Sequence, residues 1–562
     1  MAMTKVIYLV ALFCLVFVLG EDQPCASRDG DNEESTVCVC NSTYCDTVSR
    51  EAPAVGSYVI YTSSKSGKRL EKSNGTIETY SNLAQGQSEE CDISDLYSAM
   101  AQQASNQNTS GDDESCAGWF WSSVSLDLQT DNREQYVEGF GGSITDAVAY
   151  NWYKLSEETR SRLISTYFGE DGLGYNMIRI PIGGSDFSNR PYTYNDYPLD
   201  DETLSNFTLA EEDTAMKIPM IKAIQKIRKE EIKIIASTWC PPVWMKNNED
   251  FYGYGQLKPQ YYQSYADYHV RFIEEYEKQD IKIWAITTTN RPTGGIIPDK
   301  KINSLGWFPA DLGRWLAINL GPTLRSSRYN KTLIFAVDDE LHMLDWYLHG
   351  MQKADKTVMK YIDGIAVHYY SSSSSPSLLL DIIKKKYKKS ILGTQACEGS
   401  TGWDSTAIKI GSWERAARYI RSIIDDLNHH SVGWMDFNLF LDKNGGPNWA
   451  GNYVDAPILI YPDKDEFIKQ PMFYALAHFT KFIPKGSQRV TIVTKSIVEI
   501  TNVSFVTPEG NIVMILYNSN SRTVRVHVRL SSKRYIEVKI EKETIKTIEI
   551  NPNESILCKV QC

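Results

Sequence analysis

The chain has 562 residues, 42 % hydrophobic and 11 % aromatic, which excludes an intrinsically disordered protein and leaves room for more than one domain. Its formal net charge of −11 excludes a nucleic-acid partner, which requires a basic face. The charge identifies no substrate.

At the N-terminus, Lys5 precedes an apolar run from Val6 to Leu19 that ends at Gly20 before Glu21 and Asp22. The run is short for a bilayer span and has the layout of a signal peptide over residues 1–20. No later stretch reaches spanning length, so a soluble mature protein of the secretory pathway, extracellular or lysosomal, is expected. Seven Asn-x-Ser/Thr sequons, at Asn41, Asn74, Asn108, Asn206, Asn330, Asn502 and Asn553, agree with that route and predict surface glycans. Of eleven cysteines, Cys14 lies in the leader, and Cys25, Cys38, Cys40 and Cys45 crowd the mature N-terminus. Little core can form there, and an oxidising route favours a disulfide staple over a zinc site. Cys91 with Cys116 and Cys558 with Cys562 are candidates for two further bridges, while Cys240 and Cys397 sit among apolar neighbours as buried free thiols.

From about Gln135 to Asn438, short β-branched runs alternate with segments of helical period. Strands are predicted at Tyr136–Gly142, Asn176–Ile182, Lys233–Thr238, Lys282–Thr288, Thr332–Val337, Gly364–His368, Ser390–Thr394 and Val432–Phe437. Amphipathic helices are predicted at Ala215–Lys229, Gln260–Gln279 and Ser412–Asn428. Eight such alternations imply an α/β fold, a (β/α)₈ TIM barrel with its chemistry at the C-terminal strand ends. The flanks show alternating strand patterns instead, and together they predict one accessory β-sandwich assembled from both chain ends. The expected organisation is a disulfide-rich segment at 21–52, the N-terminal portion of the sandwich at 53–132, the barrel at 133–484 and the C-terminal portion of the sandwich at 485–562. Within the N-terminal portion, 82–115 is polar and acidic and reads as a surface insertion. Lys384 to Lys389 is a basic run that reads as a solvated helix end, and Ser371 to Ser375 as a loop.

Motifs spread along the mature chain carry a resemblance. Cys38-Val39-Cys40-Asn41-Ser42-Thr43-Tyr44-Cys45, Gly139-Phe140-Gly141-Gly142, Tyr175 to Pro181, Ser185-Asp186-Phe187-Ser188, Gly364 to Tyr370, Gly445-Gly446-Pro447-Asn448-Trp449, Lys469 to Tyr474 and Ser487 to Val490 occur in one order. In that order the chain resembles the lysosomal glucosylceramidases of glycoside hydrolase family 30. The resemblance implies retaining β-glucoside hydrolysis, which needs two carboxyl groups about 5 Å apart. One protonates the leaving oxygen and then acts as base; the other attacks the anomeric carbon. In the family these are the Glu of Asn-Glu-Pro after strand four and a Glu before Ala-Cys after strand seven.

Both are altered here. Strand four ends Thr289-Asn290-Arg291-Pro292, placing Arg291 at the acid/base position, and a guanidinium neither donates usefully nor accepts a proton. Strand seven ends Thr394-Gln395-Ala396-Cys397, placing at the nucleophile position Gln395, whose amide keeps the shape of Glu but not its nucleophilicity. The flanking residues fix the register, so the expectation is a pseudoenzyme with no intact catalytic residue.

The resemblance implies that the sugar wall is better kept. Asp186 would bind glucose hydroxyls, Trp239 would stack on the ring, and Asn290 and Asn452 would hydrogen-bond to it. Arg179 and His368 would belong to the layer that orients the nucleophile, with Tyr370 beside it, and Phe437 replaces the family's Trp. Each has a plainer reading: Asp186 and His368 as members of a satisfied buried network, Trp239 and Trp244 as barrel-rim packing. Arg291, bulky and charged, could also fill the pocket by pairing with Asp186 or Glu340. Glu398 and Glu340 are the carboxylates nearest in sequence that could take over, but neither is predicted at a strand end, and misplacement by an ångström costs about a hundredfold.

Three functions compete: a non-catalytic binder of a glucoside, sphingolipid or protein; an active glucosylceramidase using Glu398 with Glu340; and a secreted scaffold. A saposin-like activator and a trafficking receptor are the protein partners implied by the resemblance, and peripheral membrane contact is compatible with it. No metal cluster or phosphate-cradling loop is present in the sequence, so no cofactor is expected.

Overall fold

The computed structural model describes residues 22–31, 34–80, 123–228, 230–297, 301–371, 375–399, 406–496 and 498–552. The leader, the 82–115 insertion, Cys91, Cys116, Cys558, Cys562, Asn108 and Asn553 lie outside the described residues.

Eight parallel strands close a barrel: β1 (Gly139–Ser143), β2 (Met177–Ile182), β3 (Lys233–Thr238), β4 (Ala285–Thr287), β5 (Leu333–Glu340), β6 (Gly364–His368), β7 (Ser390–Gln395) and β8 (Ser431–Asp436). They neighbour one another in chain order, and β8 returns to β1 with Gly433 opposite Gly139. β2 and β8 are buried at every position, as a sheet covered outside by helices and filled inside by side chains requires. The glycines of β1 are steric: a Cβ on Gly139 would sit 1.9 Å from Asn176 Oδ1. That oxygen accepts the Phe140 N–H at 3.0 Å, so the Asn176 side chain joins β1 to the head of β2.

The helices follow their apolar stripes. Trp413–Asn428 buries Trp413, Ala416, Ala417, Tyr419, Ile420, Ile423, Ile424 and Leu427 along one face. The predicted Ala215 helix divides into a π-turn, Glu212–Lys217, and an α-helix, Ile218–Ile227. Pro219 lacks an N–H and its ring opposes the preceding carbonyls, which accounts for the opening of the turn before it.

The flanks do pair. Ser57–Ser64, Glu71–Thr76, Glu78–Thr79 and Ser123–Tyr136 share one ten-stranded sheet with the six strands between Gln488 and Ile550. The pleat points alternate residues of a strand to opposite faces, and Ile512–Asn518 is buried on both. In Ile512–Asn518, Val513, Ile515 and Tyr517 join the barrel core, while Met514 and Leu516 join the sandwich core.

A third sheet is not predicted from the sequence. Val37–Asn41 lies antiparallel to Glu466–Lys469, within a five-stranded sheet that also holds Ser27–Arg28, Phe440–Asp442 and Ile458–Tyr461. The N-terminal staple is two bridges, Cys25–Cys38 and Cys40–Cys45, and Cys240 and Cys397 are buried free thiols. Of the described sequons, Asn74, Asn206 and Asn330 are exposed, whereas Asn41 and Asn502 are half-buried. No helix among the described residues is long and apolar enough to cross a membrane.

Candidate active site

The barrel interior is organised around a carboxylate that no sequence motif singles out. Val337 and Asp338 both take positive φ, 77° and 58°, and the β5–β6 register shifts between Val337 and Asp339. This bulge turns Asp338 into the barrel. Its Oδ2 accepts from Arg179 Nη2 (2.7 Å), Thr287 Oγ1 (2.8 Å) and Ser237 Oγ (3.1 Å); its Oδ1 accepts from Thr394 Oγ1 (2.6 Å) and lies 3.1 Å from His368 Nε2. Burial disfavours its charge, but Arg179, His368 and Thr394 outweigh burial and hold the carboxyl well below the usual range. A carboxylate so saturated is a poor base. The available signal was Arg179 itself, since a buried guanidinium requires an acid.

The bulge also corrects one expectation. β5 does not end at Val337 but continues to Glu340, which pairs in register with His368. Glu340 therefore does stand at a strand end, with Oε2 accepting the Ser371 N–H at 2.9 Å.

Arg179 is the hub of this buried network. Besides Asp338 it donates to Gln395 Oε1 at 2.5 Å and Asn290 Oδ1 at 2.9 Å, and its guanidinium lies 4.8 Å from the Trp239 ring centroid. Gln395 Nε2 in turn donates to the Tyr370 hydroxyl at 3.0 Å, and that hydroxyl lies 3.3 Å from Cys397 Sγ. Burial, reinforced by Cys397, raises the Tyr370 phenol well above its ordinary value, so it stays protonated. Trp239 is 2 % exposed and stacks on Phe437 at 6.0 Å.

A second group stands on the β2 loop. Asp186 Oδ2 accepts from Asn452 Nδ2 (3.0 Å) and from Asn448 Nδ2 (3.3 Å), a partner that the sequence alone does not assign. The Asp186 carbonyl accepts the Trp449 N–H at 3.1 Å, tying this loop to the Gly445–Trp449 motif. An open cavity of about 520 Å³ adjoins Asn448 and Trp449. Trp244 donates to the Asn195 carbonyl and packs edge-on against Tyr261, which makes it part of the rim packing.

Arg291 caps β4 in a left-handed conformation (φ 49°), its N–H on the Asp338 carbonyl at 2.9 Å. Glu398 faces another way. It is 2 % exposed, its Oε2 bound by Arg418 Nε (2.9 Å) and Nη2 (2.5 Å) and its Oε1 by the Tyr369 hydroxyl. Position 291 thus carries a guanidinium side chain, and the Gln395 amide is held in a hydrogen-bonded frame by Arg179 and Tyr370.

A model of the glycosyl hydrolase family 30 TIM-barrel domain matches residues 137–483, and one of the family's beta sandwich domain matches 486–548. The chain is 36 % identical over 509 residues to lysosomal acid glucosylceramidase of Mus musculus, covering 89 % of this chain and 90 % of that one. It is 34 % identical over 518 residues to putative glucosylceramidase 3 of Caenorhabditis elegans, covering 91 % and 92 %. Among solved structures, SrfJ from Salmonella typhimurium is similar in fold, with a TM-score of 0.73 at 22 % identity over 88 % of this chain and 99 % of that one.

Proposed function

The chain belongs to glycosyl hydrolase family 30, and on that premise we propose that it is a glucosylceramidase-like protein that binds a lipid-linked glucoside without hydrolysing it. The observation that carries the reading is Gln395. Its amide is held by Arg179 on its oxygen and Tyr370 on its nitrogen, and a neutral amide is a poor nucleophile. The guanidinium of Arg291 serves as neither general acid nor general base. Positioned acid–base catalysis alone contributes about a hundred- to ten-thousandfold, and without the nucleophile the two-step route is closed. Support for binding comes from the retained wall: Asp186 with Asn452, and Asn290 and Trp239 around Arg179. The family relationship, the two disulfides and the exposed sequons support a secretory or lysosomal destination.

A second reading, an active hydrolase with a substitute carboxylate, draws on Glu340, which stands at the end of β5. Glu398, held by Arg418 and Tyr369, does not support it.

The test is hydrolysis of a fluorogenic β-glucoside at acidic pH by the purified protein and by its Arg291→Glu/Gln395→Glu double variant. We expect no turnover from the natural chain and a gain of at least about a hundredfold from the variant. Activity in the natural chain that Glu340→Gln abolishes would overturn the proposal. Binding is read separately, by calorimetry with glucosylceramide micelles, where absence of heat ends the ligand-binding claim.

A further inference from the structure

Asn448 serves two places at once. It donates to Asp186 Oδ2 at 3.3 Å, and it also lines the open cavity of about 520 Å³ together with Asn189, Asp442, Asn444, Trp449 and Tyr453. Asn189 follows Asp186 on the β2 loop, and the others lie on the chain after β8. The β8 side is stiffly built. Asp442 Oδ1 accepts the N–H of Asn444 at 2.9 Å and of Gly446 at 3.0 Å, closing a turn that leaves Asn444 exposed. Within it Gly445 takes φ 82°, and a Cβ there would lie 2.3 Å from the Val454 carbonyl oxygen. A lining held in this way loses little freedom when it meets a ligand.

The turn leaves hydrogen-bonding capacity unused. The side-chain amides of Asn189 and Asn444 are exposed and make no hydrogen bond among the described residues, and neither do Asp442 Oδ2 and the Tyr453 hydroxyl. Tyr453 is 47 % exposed. The Trp449 indole N–H is committed to the Ser185 carbonyl at 2.9 Å and Asn303 Oδ1 at 2.8 Å, so Trp449 offers the cavity its ring.

This lining selects a class of ligand. Among the described residues no lysine, arginine or histidine lines the cavity, so a phosphate or sulfate would find no cation there. One carboxylate is too few for a cation site. A hydrocarbon chain would cover two amides and a carboxylate without pairing them. A sugar answers every element: its hydroxyls both donate and accept, matching amides and a carboxylate, and its C–H faces lie against aromatic rings.

We propose that the cavity is a second sugar subsite, so that the glucoside held at Asp186 carries at least one further sugar, bound by Asn189, Asn444 and Asp442 with Tyr453 against its face. The inference rests on the reading of Asp186 and its neighbours as a sugar wall and narrows the ligand to an oligosaccharide glycoside. Asn448 is the bridge between the two subsites, with its amide on Asp186 and its place in the cavity lining.

The test is titration calorimetry of the full mature chain with methyl β-glucoside and with the methyl glycosides of cellobiose, laminaribiose and gentiobiose. We expect at least one disaccharide to bind at least about tenfold more tightly than the monosaccharide. Asn189→Ala/Asn444→Ala, at two exposed positions, should remove most of that gain while methyl β-glucoside binds as before. Tyr453→Ala should remove it as well, with an unchanged thermal midpoint verifying the fold. Asp186→Asn should weaken monosaccharide and disaccharide alike. If methyl β-glucoside binds but no disaccharide gains, or if the gain survives both cavity variants, the subsite is refuted and the binding function stands. If no sugar binds at all, both fall.

Discussion

The reading of Arg291 and Gln395 as altered catalytic positions rests on the motifs around them: Asn290 and Pro292 bracket Arg291, and Ala396-Cys397 follows Gln395. Asp338 was not legible, because its role depends on a bulge that no periodicity announces. Asp338→Asn would leave the fully buried Arg179 without its ionic partner, at a cost of about 3–5 kcal/mol, read from the midpoint of urea unfolding. A second buried acid predicts a pH effect. Burial pushes Asp455 up to about 6 despite its ion pair with Arg415. A carboxyl raised on folding favours the folded state fully below its unfolded value and loses that contribution as pH rises through about 6. His269 and His478, lowered by burial to about 4 and about 3, act oppositely and cost stability as pH falls below their ordinary value. The clean measurement is therefore a difference. Asp455→Asn should remove a share of the stability lost between pH 4 and 7, about 1.4 kcal/mol per pK unit, in paired thermal melts across that range.

All eight barrel strands were readable as apolar runs, and three helices as apolar stripes, because burial on one or both faces writes itself into the period. What escaped was set by contacts distant in sequence. The two disulfides announced a stapled N-terminus, but nothing local to Val37–Asn41 says that it pairs with Glu466–Lys469. The helix Trp413–Asn428 shows how sharply such a stripe divides consequences. Ile423, with no exposed surface, should cost about 2–5 kcal/mol as Ala by denaturant titration. Arg421 on the outer face should change stability by no more than about 0.5 kcal/mol by the same assay.

Across the molecule, Val37–Asn41, Ser57–Ser64 and Thr544–Ile550 are structural members of sheets whose other strands come from far along the sequence. Deleting residues 22–52 would leave Glu466–Lys469 as an unpaired edge, and faster proteolysis near that strand together with a tendency to aggregate is the expected result. The pairing of Ser57–Ser64 with Thr544–Ile550 also bears on biosynthesis. The first strand leaves the ribosome long before its neighbour exists. At about 5–20 residues per second it waits roughly 25–100 s with its edge open, while the whole barrel is translated between the two halves of one sheet. The nascent chain must be kept from pairing elsewhere until its last strands are made, and its yield in cells should depend on chaperone supply more steeply than its thermodynamic stability would suggest.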